Sequence, residues 1–246
     1  MDGPSSLSQG LTLLGAVVDR ERSGRPGHNA SRLAEATAME RSRVSRLTQE
    51  LRTLDYLDRG EGSVFRAGPA FFRGAAALNE PWLRGARREL RRLASRFGMT
   101  ARVTVAEGPR ALLLRCESGT GAPDASLRPG MTTPVWCTGG GRALLLDLDR
   151  PALDSLLDGV QFVGVGGPAA ARSIPEVADL LTRDREEGLV CAVDEYVAGI
   201  TEFALPVRLR GEIAASVSVE GPPVTLATRA AIRRALAAAV SRLESL

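Results

Sequence analysis

The sequence predicts an α+β chain in two parts: a small N-terminal winged helix-turn-helix and a larger C-terminal domain built on an antiparallel sheet. Two periodicities predict it. Apolar residues recur at helical spacing up to about Phe97, and from about Ala101 they fall into strand-like runs separated by turn residues. Charge divides at the same place. Residues 1–100 carry 17 Arg against 11 acidic groups, residues 101–246 carry 15 against 18, and the 246-residue chain has no lysine. Genome base composition is another source of an Arg-only chain, so the placement of the arginines weighs more than their number.

The elements follow in order. Leu7, Leu11, Leu14, Val17 and Val18 stand at the spacing of a helical face over residues 6–20, which predicts an opening helix that packs on the next two and can contribute to a dimer contact. Asn29 is a good N-cap for a second helix, with Ala30, Leu33 and Ala34 as its small apolar side, and Thr37-Ala38-Met39 makes the turn. In the third helix Val44, Leu47, Leu51 and Leu54 form the core stripe, while Ser42, Ser45, Arg46, Gln49 and Thr53 lie opposite. Small polar residues mixed with Arg and Gln suit a DNA groove, because Arg pairs bidentately with guanine and Gln with adenine. Arg41 and Arg52 flank that face. Arg43 projects nearer the apolar stripe and is assigned to phosphate contact or helix packing. A hairpin turning at Arg59-Gly60-Glu61-Gly62 then places Arg59 and Arg66 to reach phosphates. The expected DNA-binding set is therefore Arg41, Ser42, Arg43, Ser45, Arg46, Gln49, Arg59 and Arg66; the bland alternative is an amphipathic helix pair with a solvated basic face.

After the wing, helical pattern is interrupted near Asn79-Glu80-Pro81, and proline fits the first turn of a new helix. That helix sets Arg84, Arg87, Arg88, Arg91, Arg92 and Arg96 beside Leu83, Leu90, Leu93, Ala94 and Phe97, which reads as an inter-domain helix with a solvated basic face. ARVTVAEG and ALLLRCES predict two strands joined at Gly108-Pro109, SGTGAPDASLRPGMTTP a long loop, and VWCTGGGRALLLDLD a helix after Thr138. PALDSLLDG and SIPEVADLLTRDREEG predict two more helices, the second stopped at Gly188. LVCAVDEYVAGITEFALPVRLRGEIAASVSVEG gives three or four strands with a hairpin at Arg210-Gly211, and an amphipathic helix closes the chain. The absence of repeated βαβ units makes this α+β, of the kind used by small-molecule sensor domains.

Several chemistries are disfavoured. Cys116, Cys137 and Cys191 lie far apart without a CxxC pair, so neither a disulfide framework nor a zinc site is expected, and no cofactor is implied. The single histidine, His28, falls in a Gly-Pro-rich loop and is read as solvated. No run reaches the ~18–20 apolar residues of a membrane span, and no secretory signal is visible, which predicts a cytoplasmic protein. Among the glycine-rich stretches none is a P-loop, since there is no lysine. Gly139-Gly140-Gly141 opens a helix, however. Its free amides can receive a carboxylate, or the glycines can serve close packing of the helix on a sheet.

In order and spacing these segments resemble the IclR family of bacterial transcription regulators along nearly the whole chain. SLSQGLTLLGAV is similar to the family's opening helix, and Ser42-Arg43-Val44-Ser45-Arg46-Leu47 to the Ser-x-Val-x-Arg-Leu core of its helix-turn-helix. Pro134-Val135-Trp136 with Gly141-Arg142-Ala143-Leu144-Leu145 resembles its Pro-Leu-His … Gly-Lys-Ala-Leu-Leu segment, and Ala204-Leu205-Pro206-Val207 with Gly221-Pro222 its Ala-Ala-Pro-Val and Ser-Gly-Pro strands. The resemblance implies a winged helix over 1–67, a linker helix over 68–80 and a GAF-like effector-binding domain over 81–246. It further implies dimers or dimers of dimers on double-stranded operator DNA, and small organic acids or aromatic compounds as effectors.

Carried over by position, the effector pocket would be lined by Gly139, Gly140, Ala192, Ile200, Glu202, Ser218 and Glu220. Here the chain departs from its relatives, which commonly have Asp in place of Ala192, Cys in place of Glu202 and a second Ser in place of Glu220. Two carboxylates in one pocket repel an anionic ligand unless one is protonated or paired to an Arg such as Arg128 or Arg142. The expected effector is then neutral or cationic rather than a dicarboxylate or keto acid; alternatively Glu202 points elsewhere or is satisfied internally. The resulting expectation is a DNA-binding transcriptional regulator, a repressor in the first reading and an activator in the second. Two other classes compete with it: a protein-interaction module, and an enzyme using Cys137 or Asp194-Glu195.

Overall fold

The computed structural model describes residues 4–71, 81–120, 122 and 127–246. It divides into two compact units, Met1–Asn79 and Glu80–Leu246. The stretch expected as a linker helix, 68–80, lies from residue 72 onward outside the described residues.

The N-terminal unit comprises helices α1 (Ser6–Arg22), α2 (Ala30–Thr37) and α3 (Arg41–Thr53), then an antiparallel hairpin of β1 (Leu57–Arg59) and β2 (Phe65–Ala67). Asn29 caps α2 by accepting the Arg32 amide at 3.0 Å, and Ala38 ends it in the left-handed region at φ 52°. Leu13, Leu14, Val17, Leu33, Val44, Leu47, Leu57 and Phe65 form one small core. Two expectations about that core are corrected. Leu7 and Leu11 are exposed, because α1 turns the face carrying Leu13 and Gln9 inward instead. Leu54 is exposed as well: α3 stops at Thr53 and Asp55 takes a left-handed φ of 60°, which swings the chain toward the wing before another turn can form. Thr48 occupies the stripe instead, its hydroxyl satisfied by the Val44 carbonyl at 2.7 Å.

The C-terminal unit is a six-stranded antiparallel sheet of β3 (Thr100–Glu107), β4 (Arg110–Ser118), β5 (Thr132–Pro134), β6 (Val190–Val193), β7 (Thr201–Leu209) and β8 (Glu212–Gly221), in the order β5-β4-β3-β8-β7-β6. β5 falls inside the segment expected as loop. Its three residues form a strand because they pair with Arg110–Leu112 at the edge, a long-range contact that local pattern does not encode. The β7–β8 hairpin turns at Arg210 and Gly211, both at positive φ, which suits the right-handed twist of the strands.

Period-two alternation gives the sheet two unlike faces. Ala101, Val103, Phe203, Val217 and Val219 form the dry face, covered by α4 (Pro81–Phe97) and α8 (Leu226–Glu244). α4 buries Trp82, Ala86, Leu90, Leu93 and Ala94, so it is a core helix of this unit. Its arginines are exposed but not idle. Arg87 and Arg91 pair with Glu117, and Arg88 and Arg92 with Glu89, a wholly buried carboxylate that Arg242 of α8 also holds at 2.7 Å. Burial opposes ionisation of Glu89, but these guanidinium groups prevail and hold its carboxyl below the usual range.

The opposite face is polar and nevertheless buried: Thr100, Arg102 and Thr104 from β3, Ser216 and Ser218 from β8, and Glu202 from β7. Onto it packs the short helix α5 (Gly139–Ala143), with α6 (Arg150–Leu157) and α7 (Ile174–Glu187) beyond.

Candidate effector pocket and DNA-facing helix

The pocket is built where α5 meets the polar face. Thr138 caps α5 by accepting the Gly141 amide at 3.2 Å, which leaves the Gly139 and Gly140 amides pointing toward the sheet. Both donate to one side chain: Gly139 N–H to Glu202 Oε2 at 2.6 Å and Gly140 N–H to Glu202 Oε1 at 3.1 Å. The same geometry leaves little room for a side chain. A Cβ on Gly139 would stand 3.0 Å from Glu202 Cγ, and one on Gly140 would stand 3.1 Å from Thr104 Oγ1. The two readings of this glycine run thus coincide, and the anion that meets the amides belongs to the chain itself.

Glu220 is handled separately. Arg102 donates both terminal nitrogens to its two carboxylate oxygens across β3 and β8, while Arg102 Nε stays buried without a partner. Burial first, then the nearby charge of Glu202, pushes the Glu220 carboxyl up to about 7 against the pull of Arg102. Thr104 and Ser216 share a hydrogen bond at 2.7 Å between them. What remains is a cavity of about 10 Å³ bounded by Arg102, Thr104, Thr133, Thr138, Gly140 and Glu202, with Leu113 and Leu127 at its apolar side.

The expected partners of the two glutamates are therefore corrected. Arg128 is exposed on a loop. Arg142 is wholly buried elsewhere, bonded to Asp184, Glu195 and the Cys191 carbonyl. Arg102, Thr104 and Ser216 were absent from the expected set; their only sequence signal is the alternation that puts them on one face with Ser218 and Glu220. Ala192 is buried opposite Glu202 in the β6–β7 register, and half-buried Ile200 sits at the turn before β7, its carbonyl accepting the Asp194 amide.

The residues offered for catalysis are structural. Cys137 is fully buried and its thiol is pushed up to about 12, by burial foremost and then by Glu195 and Glu202, so no thiolate nucleophile is available. Glu195 is spent on Arg142, and Asp194 accepts the Gly199 amide at 2.6 Å. Among the described residues no group of His, Cys, Asp and Glu is placed to hold a metal ion, and no helix is long and apolar enough to cross a membrane.

On the N-terminal unit, Arg41, Ser42, Ser45, Arg46 and Gln49 stand exposed along α3, and Arg59 and Arg66 are exposed on the hairpin. Arg59 lies over the Phe65 ring, 5.8 Å from its centre. Ser42 donates to Glu40 at 2.7 Å and Gln49 accepts from Arg52 at 3.2 Å, so both are locally held. Arg43 is half-buried with its Nε unpartnered, closer to the core than Arg41 and Arg46. His28, expected to be solvated, is half-buried as well. Its carbonyl accepts the Phe65 amide at 2.8 Å, and burial, with Arg20 and Arg32 nearby, lowers its imidazole below the usual value.

Residues 78–244 match the family model for the bacterial transcriptional regulator IclR C-terminal domain. The chain belongs to the IclR family. Family members are transcriptional regulators rather than enzymes, and the α+β fold on an antiparallel sheet matches that of solved IclR regulators. The chain is similar to the HTH-type transcriptional regulator BhcR of Paracoccus denitrificans, 29% identical over 170 residues that span 67% of this chain and 57% of that protein. Among solved structures it resembles an IclR transcriptional regulator of Silicibacter sp. TM1040 (TM-score 0.86, 23% identity, covering 98% of this chain and 95% of the other). It also resembles an IclR homologue of Microbacterium hydrocarbonoxydans complexed with 4-hydroxybenzoate (TM-score 0.83, 21% identity, 98% and 100%). At these identities the structural likeness speaks for the fold.

Proposed function

We propose that this IclR-family protein is a repressor that acts in the cytoplasm and binds operator DNA as a dimer, or a dimer of dimers, through its N-terminal unit, with the C-terminal unit as the regulatory part. The observation that supports DNA binding most directly is the exposed row Ser42, Ser45, Arg46 and Gln49 on α3, with Arg59 and Arg66 beside it on the hairpin. A helix–turn–helix of this form lays its third helix in the major groove, and the hairpin reaches the adjacent backbone. Ser42, Ser45, Arg46 and Gln49 are then the base readers. Arg41, Arg43, Arg59 and Arg66 supply phosphate contacts.

Residues 1–66 hold 10 Arg against 9 acidic groups, so bulk attraction to phosphate is weak and selectivity must come from that face, presented twice. A regulatory C-terminal unit accords with the ligand-bound Microbacterium homologue. A gel shift at moderate salt, with DNA from upstream of the chain's own gene, tests the proposal. Arg46→Ala should weaken operator binding by about 1–3 kcal/mol and relax sequence preference. An unchanged affinity and salt slope would remove Arg46 from the interface, and no shift at all with the wild-type protein would favour a protein-interaction module.

A further inference from the structure

An acidic ligand entering the pocket would find two groups that attract anions, the amides of Gly139 and Gly140 and the guanidinium of Arg102. Each is already taken by a carboxylate of the chain. Glu202 spans both amides with its two oxygens, and Glu220 occupies both terminal nitrogens of Arg102. The space left, about 10 Å³, is what a single water needs. We propose that Glu202 is a resident, tethered stand-in for an acidic ligand, so that this pocket is closed to small carboxylates and the regulatory unit does not answer to them. The proposal rests on the reading of the C-terminal unit as regulatory.

A free acid and Glu202 compete for the same two amides. A carboxylate fixed to β7 meets the amides as an intramolecular partner, at an effective concentration that a free acid at cellular levels does not match. Displacing it breaks two charge-assisted hydrogen bonds in a site where Glu202 is only 8% exposed. The free acid would find no second cation at that space, because Arg102, which borders it, is already spent on Glu220. A smaller residue in place of Glu202 would leave both the volume and the amide donors vacant.

Melting of the full-length protein in about 10 mM 4-hydroxybenzoate or pyruvate, against the same concentration of chloride, reads this directly. The wild-type midpoint should move by less than about 1 °C and operator affinity by less than about twofold. Glu202→Ala should melt lower, and about 100 mM acetate should recover part of that loss where chloride does not. Glu202→Gln, which keeps the volume filled, should gain nothing from acetate. Stabilisation of the wild type by several degrees in either acid overturns the proposal, as does a Glu202→Ala protein indifferent to acetate. If Glu202→Ala does not fold, the wild-type melts decide alone. The melts need no DNA, so a protein that ignores these acids yet binds no operator counts against the regulatory reading and leaves the pocket assignment standing.

Discussion

Replacing Arg142 by alanine should cost the C-terminal unit most of its margin of stability. The guanidinium is wholly buried between Asp184 and Glu195, which are 1% and 4% exposed, and it also donates to the Cys191 carbonyl at 2.9 Å. Removing it strands two carboxylates in a dry site and leaves the Cys191 carbonyl only the Arg183 contact at 3.4 Å. Breaking a buried ion pair costs about 3–5 kcal/mol, and losing the shorter of two hydrogen bonds to the Cys191 carbonyl about 1 kcal/mol more. Since the terms share one site and do not add, a loss of about 4 kcal/mol is expected at about pH 8.

The loss should depend on pH in a fixed direction. Burial already pushes the Glu195 carboxyl up, and Arg142 is what opposes it. Without Arg142 its folded-state value rises further above the unfolded one, so the folded variant takes up a proton as pH falls and the deficit narrows toward about pH 5. Both tryptophans, Trp82 and Trp136, lie in this unit, so urea melts followed by tryptophan fluorescence report it selectively. Arg142→Lys should fall between, because three donors replace a planar fork serving four acceptor contacts. A deficit below about 1 kcal/mol, or one equal at pH 5 and pH 8, would refute the account of a buried charge cluster held by Arg142.

Two further outcomes follow from the same geometry. The Glu220 carboxyl titrates at about 7 in the folded protein against 4.5 for its ordinary value, so it contributes stability below pH 4.5 that is lost as pH rises through 7. Glu220→Gln should flatten that fall, by at most about 3 kcal/mol in fluorescence-monitored melts, and an unchanged slope would exclude Glu220 as its source. Ala38→Gly should stabilise the N-terminal unit by about 0.5–1 kcal/mol, because the exposed Ala38 sits at φ 52° where only glycine is unstrained. Circular dichroism melting reads that gain, and a lowered transition would contradict it.

Where the sequence was legible, short-range physics governs. The N-cap at Asn29, the stop of α7 at Gly188 and the Arg210-Gly211 turn each depend on a few neighbouring residues, and each appears where the local pattern puts it. Where it was not, packing chose between equivalent local options. α1 buries Leu14 and Val17 of its expected stripe, but contact with the rest of its unit rotates the face toward Leu13 and leaves Leu7 and Leu11 exposed. β5 exists only because β4 is there to pair with it. The pocket shows the same division. Gly139, Gly140 and Glu202 were recognisable as residues of interest, but the link from Glu202 to those amides spans 62 and 63 positions and has no local trace.

The sequence by itself determined the two-part plan, the α+β class and the exposed polar row on α3, because these rest on periodicity and on single-residue backbone preferences. Only the tertiary structure decided which charges meet. Arg102 rather than Arg128 or Arg142 faces Glu220, Arg142 is locked in the core with Asp184 and Glu195, and Glu202 closes the pocket on the amides of α5. The reason is that buried charges are placed by what the fold brings within about 3 Å of them, and strands far apart in the chain supply those partners.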